Sequence, residues 1–231
     1  MTLTNQQIEQ LYTFTRQHFV EHYDVQTELV DHLANDIEQI LEDKSTLTFE
    51  QARDISFKKF GIFGFMDVVE EKQKQLNKKY YKIILSFVKD WFRLPNLIAT
   101  ITLFFFFYTL LTSNLSSMYF MGIWILYIVY LSIKLYQLKK EVKIRKKKSG
   151  KLWLLEDFIF KQGAANTALV PIYIFQLFIN IEGIANFEWY VTIPIALISS
   201  IIIIVGYISL IVLPQKAEKL LEKHYPEYKL V

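Results

Sequence analysis

Hydrophobic residues follow two different patterns along this chain. In the first 77 residues they recur every three or four positions, which is the spacing of one face of an α-helix. Farther along they form three runs without a charged side chain, at residues 94–133, 162–181 and 189–215. A helix that crosses a bilayer needs about 20 apolar residues. The pattern therefore predicts an all-α, polytopic membrane protein with a small helical module at its N-terminus.

The three uncharged runs have room for four membrane spans. The first run is long enough for two, and the residues Ser113, Asn114, Ser116 and Ser117 favour a turn between them. The predicted spans form a four-helix transmembrane bundle and lie at roughly 94–112, 118–136, 164–181 and 190–213.

The N-terminal 77 residues are predicted to form several helices. One begins near Asn5, and a second runs from about Asp24 to Asp43. A third begins at Thr48, where Gln51 completes the capping-box pattern, and a fourth begins near Phe65. The chain then divides into six parts: an acidic helical cytoplasmic module (1–77), a helical connector (78–93), a first transmembrane hairpin (94–136), a basic cytoplasmic loop with an interfacial segment (137–161), a second transmembrane hairpin (162–213) and a cytoplasmic tail (214–231).

Basic residues set the predicted orientation. Residues 134–151 contain nine lysines or arginines and one acid, whereas the turn at 113–117 has no charge and the loop at 182–188 has two glutamates. Because lysine and arginine resist translocation, the basic side is cytoplasmic and both termini lie inside. The start of the chain lacks the apolar core of a signal peptide, so the first span acts as an uncleaved anchor. These features indicate a multi-pass protein of the bacterial inner (plasma) membrane.

The basic loop contrasts with the acidic module. Residues 1–77 carry 7 basic and 14 acidic side chains, and residues 78–231 carry 19 and 9. One hypothesis is that the module docks on residues 139–151 through these charges, in competition with a partner or lipid, and that salt weakens the contact. The alternative is that the loop is a topology signal that also touches anionic headgroups. Its predicted lipid-contacting residues are Lys139, Lys140, Lys143, Arg145, Lys146, Lys147 and Lys148.

The stretch at residues 28–38 combines acids with one of the four histidines. Glu28, His32 and Asp36 are four residues apart and form a row on the polar side of the second helix. Such a row could hold a divalent metal, but helical metal sites normally take ligands from facing helices. A solvated face is the favoured interpretation, with no metal and no cofactor. The candidate partner-docking face on this helix consists of Glu28, Asp31, His32 and Asp36.

The same region resembles a family of bacterial helical modules, the HAAS type. These modules have an amphipathic helix rich in Glu and His, a short linker, and a second helix followed by Gly. The matching positions are Glu28, Leu29, His32, Leu33, Ile37, Glu38, Glu50, Ala52, Phe60 and Gly61. The chain departs from the family after Gly61, where the residues IFGF replace an Asp-Pro-like turn. The resemblance implies a cytoplasmic signalling or regulatory module, and no catalytic residue transfers with it.

The third predicted span carries a polar stripe. Asn166, Tyr173, Gln176 and Asn180 share one side of the helix. They could line a path for a small solute, or they could form hydrogen bonds between helices. The second interpretation is favoured, because no other span has a comparable stripe and such amides commonly join membrane helices.

These patterns favour a non-enzymatic membrane protein that acts in regulation or as an accessory subunit. Its module would bind a cytoplasmic or membrane protein partner, and the chain could form homo-oligomers. A small transporter or channel subunit, lined by the third span, is the alternative. The sequence offers no nucleophile–base pair, Gly-rich phosphate loop or zinc spacing on which to base an enzyme. Nucleic-acid binding is not expected, since the soluble module is acidic and the basic run adjoins the membrane.

Overall fold

The structure is a computed structural model that describes residues 2–93, 96–113, 116–179, 188–225 and 228. In this part of the chain every regular element is helical, so the prediction of an all-α protein is confirmed. In chain order the helices are α1 (Asn5–Gln17), α2 (Tyr23–Asp43), α3 (Phe49–Lys58), α4 (Met66–Trp91), α5 (Asn96–Leu111), α6 (Ser116–Ser149), α7 (Leu154–Asp157), α8 (Gly163–Ile179), α9 (Trp189–Tyr207), α10 (Leu213–Gln215) and α11 (Ala217–His224). Two π-helical turns, Phe158–Gln162 and Ile208–Val212, join α7 to α8 and α9 to α10.

The chain divides into two compact units. The N-terminal unit contains Met1–Asn77 together with Lys146–Leu155. The C-terminal unit contains Lys78–Arg145 and Glu156–Val231. The helices α4 and α6 each contribute residues to both units, and so does the short helix α7.

In the N-terminal unit, α2 packs against α1 and α3. Its apolar stripe faces this core, and the buried members are Leu29, Val30, Leu33, Ile37 and Leu41. Each such side chain stabilises the fold by roughly 1.5–3 kcal/mol when it is fully buried. The helices α1 and α3 both start with a capping box, in which Thr4 pairs with Gln7 and Thr48 with Gln51. The boxes satisfy backbone donors that a helix start leaves unpaired.

The turn between α3 and α4 depends on two glycines. Gly61 has φ +79° and Gly64 has φ +55°, which is the left-handed region that side chains disfavour. A Cβ atom at Gly64 would also meet the ring of Phe57 at 2.9 Å. This turn places α4 directly after Phe65, whose ring lies 4.8 Å from that of Phe57.

In the C-terminal unit, α5 packs along α9 and the first half of α6 completes the core. The buried cluster consists of Phe107, Leu111, Phe120, Trp124, Ala196 and Ile202. Gly206 allows a close approach at one side of this core, because a Cβ atom there would overlap the Tyr127 hydroxyl. Small residues serve the same purpose between membrane helices in general.

Two helical segments are long and apolar enough to cross a membrane, Met118–Ser149 and Trp189–Gln215. A third is reached if α4 and α5, which meet at 92°, are taken as one broken span. The sequence predicts four spans, whereas α5 has 16 residues and α8 has 17, both below the roughly 20 that a span needs. The predicted ends of these two spans, at residues 94–95 and 180–181, lie outside the described residues.

The second predicted span continues well beyond residue 136. It belongs to α6, which runs on to Ser149, so the first half of the predicted basic loop is helical. The long basic side chains of residues 139–148 are good helix formers, and no proline or glycine interrupts them before Gly150. Gly150 has φ +68° and ends the helix.

Candidate functional site

The segment that follows α6 is built into the N-terminal unit by hydrogen bonds to the start of α2. The backbone N–H of Tyr23 donates to the carbonyl of Leu152 at 2.7 Å. The backbone N–H of Leu154 donates to Asp24 Oδ1 at 3.0 Å. Leu154 is the first residue of α7, so the Asp24 carboxylate caps a helix that lies 130 residues away in sequence.

Side-chain packing reinforces these hydrogen bonds. The Tyr23 ring meets the Trp153 ring edge-on at 5.2 Å and stacks on the Tyr12 ring at 6.2 Å. The ammonium group of Lys151 lies 4.0 Å from the centre of the same Tyr23 ring. The apolar residues of the segment are all buried: Leu152, Trp153, Leu154 and Leu155. The contacts of residues 152–155 described above are hydrogen bonds and apolar packing, and they are not the charge pairs of the docking hypothesis.

A cleft of about 530 Å³ opens beside this contact, within the N-terminal unit. Three cationic side chains line it, those of Arg16, Lys146 and Lys151, together with one acid, Glu21. Lys146 Nζ lies 3.6 Å from Glu21 Oε2, and both side chains are well exposed. Such an exposed pair contributes at most about 1 kcal/mol. The excess of positive charge suits a carboxylate or phosphate group from outside the unit.

Most of the predicted lipid-contacting residues are exposed on α6, namely Lys139, Lys140, Lys143, Lys146, Lys147 and Lys148. Arg145 differs from them. Its guanidinium donates to Glu141 Oε1 at 2.8 Å and lies 3.8 Å from Glu156 Oε1 and 5.0 Å from the centre of the Phe160 ring. Burial acts to lower the pKa of Arg145, but the Glu141 hydrogen bond and the two carboxylates raise it. The structure therefore places Arg145 in an ion-pair network, where it binds other side chains of the C-terminal unit.

Glu156 and Asp157 are buried carboxylates that sequence reasoning missed. They are 2% and 7% exposed, and Lys161 Nζ pairs with Asp157 Oδ1 at 2.5 Å. The sequence places them in an interfacial segment because they stand in the apolar stretch KLWLLEDFIF. Two adjacent acids in such a stretch are themselves the signal, since buried carboxylates need cationic partners.

The four residues of the candidate partner-docking face lie on the outer side of α2. Asp31 and His32 are exposed. Glu28 pairs with Lys72 at 2.7 Å, and Asp36 pairs with Lys59 at 2.6 Å. Among the described residues, no three His, Asp or Glu side chains come together as a metal site requires. Two residues of the row therefore form ion pairs, with Lys59 just after α3 and with Lys72 in α4, and the other two, Asp31 and His32, are accessible.

The predicted polar stripe of α8 faces outward within the chain. Asn166 and Gln176 are exposed, and Tyr173 is 63% exposed, while Asn180 lies outside the described residues. The polar residue of α8 that points inward is Thr167, next to the stripe. A pore formed by one chain would need the stripe to face its interior, which these side chains do not.

Thr167 belongs to a buried hydrogen-bond network that the sequence does not reveal. The Ser209 hydroxyl donates to Thr167 Oγ1 at 3.0 Å and lies 2.6 Å from the Tyr80 hydroxyl. All three side chains are buried. Gly163 makes the arrangement possible, because a Cβ atom there would overlap the Tyr80 ring. This hydrogen-bond network joins α4, α8 and the π-helical turn after α9 inside the C-terminal unit.

No protein-family model matches this chain, and neither a curated protein nor a solved structure matches it. Inferences about function therefore rest on the residues and contacts described above.

Proposed function

We propose that this chain is an integral protein of the bacterial inner membrane with four spans and cytoplasmic termini. It acts as a regulatory or accessory protein, and its N-terminal helical module binds a protein partner. Two segments long and apolar enough to cross a membrane support the anchoring part of this proposal. The basic residues between the second and third predicted spans support the orientation.

One observation carries the regulatory part. The segment Lys146–Leu155 is held by Tyr23 and Asp24 at the start of α2, and the exposed residues Asp31 and His32 lie two to three turns farther along the same helix. A partner that prefers one position of α2 would thus change the stability of the contact with residues 152–154. That segment begins with the last residues of α6, and it is followed in the chain by the rest of α7, a π-helical turn and α8. The resemblance to regulatory modules of the HAAS type points to the same role.

The partner proposal is tested on the full-length protein in its native membrane, since the N-terminal unit includes residues from beyond the second predicted span. A photo-crosslinking amino acid replaces Asp31, and a matched variant carries it at Asp54, an exposed position on α3. A discrete crosslinked protein is expected from the Asp31 position and not from Asp54. Equal crosslinking at both positions, or none at either, would contradict a docking face on α2.

The orientation has a separate test. Reporter fusions at the two ends of the chain should both be active only as cytoplasmic reporters. A terminus found outside the cell would contradict the proposed topology. A crosslink at Asp31 could then not be assigned to a cytoplasmic partner.

The alternative function, a small transporter or channel subunit, needs more than one chain. Because Asn166, Tyr173 and Gln176 are exposed, a solute path along them would have to lie between copies. Replacing Asn166 and Gln176 with leucine should abolish solute uptake into vesicles if this alternative holds. The proposed regulatory protein should tolerate both changes and keep its partner.

A further inference from the structure

Residues 78–92, which are the second half of α4 and the residue that follows it, present two chemically distinct exposed strips. On a helical wheel of about 100° per residue, Tyr81, Leu85 and Phe92 lie on one strip. Their side chains are 46%, 64% and 45% exposed. Exposed lysines form the strip beside them, at positions 78, 82 and 89. An aromatic and aliphatic strip bordered by lysines is typical of a helix that lies in a membrane interface.

The opposite side of this half-helix is fixed to the C-terminal unit. Tyr80 is buried against Ser209, and the Trp91 ring meets the Tyr207 ring at 5.5 Å. Along the helix Phe87 lies between Tyr80 and Trp91, and the ammonium group of Lys216 is 4.7 Å from the centre of the Phe87 ring. The exposed strips therefore point away from the helices of this unit.

These contacts also show that α4 crosses the segment Trp189–Gln215, near Tyr207 and Ser209, at a large angle. Tyr80 and Trp91 are about 16 Å apart along α4, whereas their partners Ser209 and Tyr207 are only about 3 Å apart along theirs. If the segment Trp189–Gln215 spans the bilayer, residues 78–92 run parallel to the membrane surface, at the end marked by Lys216.

We infer that residues 78–92 are an interfacial helix that binds the surface of an anionic bilayer. Tyr81, Leu85 and Phe92 enter the boundary between headgroups and acyl chains, and the three lysines contact lipid phosphates. Charge favours lipid as the occupant, because Asp90 is the one acid in this stretch and it pairs with Arg93 at 3.2 Å. The inference rests on the proposed membrane insertion of Trp189–Gln215.

The chain contains no cysteine, so single-cysteine variants of the full-length protein can be labelled cleanly. An environment-sensitive fluorophore is attached at Leu85→Cys in nanodiscs that hold one chain and phosphatidylglycerol. Spin labels at a shallow position of the lipid acyl chains should quench it strongly, and aqueous iodide should not. The matched variant is Ser86→Cys, also exposed but rotated by about 100°, which should show the reverse pattern.

A third variant separates this inference from the membrane proposal. Leu197→Cys lies in the middle of α9 and is 51% exposed, so deep lipid spin labels should quench its fluorophore. If Leu197→Cys is quenched but Leu85→Cys and Ser86→Cys are equally open to iodide, the interfacial helix is refuted while membrane insertion stands. If Leu197→Cys is also open to iodide, both proposals fail.

Two further measurements test the role of lipid charge and the possibility of self-association. Replacing Lys78, Lys82 and Lys89 with glutamine should weaken interfacial partition in phosphatidylglycerol by on the order of fivefold per lysine, and much less in phosphatidylcholine. Equal quenching in both lipids, unchanged by these substitutions, would overturn the role of the lysines. Leu85→Cys disulfides between chains, together with no lipid quenching, would assign the strip to a second copy and overturn the lipid proposal.

Discussion

The two units fix their helices by different means. In the N-terminal unit the starts of α1 and α3 are set by capping boxes whose partners are three residues apart, Thr4 with Gln7 and Thr48 with Gln51. In the C-terminal unit the side chains that join helices are distant in sequence: Ser209 is 42 residues from Thr167 and 129 from Tyr80. Local signals therefore set the starts of these helices in the first unit, whereas close approach between remote positions joins the helices of the second.

The largest expected effect comes from filling the close approach at Gly163. In Gly163→Ala the new Cβ atom overlaps the ring of Tyr80, which is fully buried. Overpacking of this kind should lower the free energy of unfolding by about 1–3 kcal/mol. The measurement is denaturant-induced unfolding of the detergent-solubilised protein.

Gly122→Ala is the matched control for this prediction. Gly122 also lies within a helix, but nothing is within 4 Å of a Cβ atom placed there. Alanine should be neutral or stabilising by up to about 1 kcal/mol, because it is the better helix former. Equal effects of the two substitutions would mean that close approach at Gly163 does not define the C-terminal unit.

The next effect concerns Asp24, which makes a long-range contact inside the unit that otherwise depends on local caps. Asp24→Ala removes the acceptor for the Leu154 N–H and should cost about 1–2 kcal/mol. The released segment should then be cut faster by trypsin after Lys151. Asp31→Ala, at an exposed site on the same helix, should leave the rate unchanged.

Salt tests the same contact. Because residues 152–155 are buried and hydrogen-bonded, raising the salt concentration should change the cleavage rate after Lys151 little. A large acceleration in salt would favour the hypothesis of electrostatic docking and would contradict the packing described for Tyr23 and Trp153.

A smaller effect is expected from Tyr80→Phe, which removes one hydroxyl from the buried hydrogen-bond network with Ser209 and Thr167. The loss should be about 1 kcal/mol, since Ser209 keeps its hydrogen bond to Thr167. The adjacent Tyr81→Phe changes an exposed hydroxyl and should be neutral within about 0.5 kcal/mol. Thermal unfolding of the two variants under one detergent condition compares them directly.

The contrast between the units also explains what could be predicted from the sequence. Helix type follows from periodicity, and the capping box at Thr48 follows from two residues three apart, so both can be recognised locally. The overlap of Gly163 with Tyr80 and the capping of Leu154 by Asp24 depend on how remote segments pack. No pattern within one segment encodes them.

The described residues contain two or three segments able to cross a membrane, and the sequence predicts four for a related reason. The length of an uncharged run shows how many residues could lie in a membrane. The number of spans also depends on where the helices within that run begin and end. The turn at Phe92 and Arg93 stops α4 before the apolar run begins, and α5 then has only 16 residues. For the polar stripe, spacing indicated that Asn166 and Gln176 share a side, but spacing does not indicate whether that side faces the other helices.

The smallest expected effect concerns the ion pair of Asp36 with Lys59 on the surface of the N-terminal unit. Burial acts to raise the pKa of Asp36, but hydrogen bonds from Lys59 and Ser56 and the charge of Lys59 lower it below the usual 3.8. A carboxyl group whose pKa is lower in the folded state stabilises the fold fully above the unfolded pKa. This contribution is lost as the pH falls through the folded pKa.

Lys59→Gln should therefore reduce stability at neutral pH by less than about 1 kcal/mol, because both side chains are partly exposed and water screens the pair. The difference from the unsubstituted protein should shrink as the pH falls below about 4, where Asp36 becomes protonated in the unfolded chain. Unfolding measured from neutral to acidic pH checks this, with the exposed neighbour Lys58→Gln as the control. A difference that is the same at both ends of the pH range would show that Lys59 stabilises the fold by something other than its pairing with the Asp36 carboxylate.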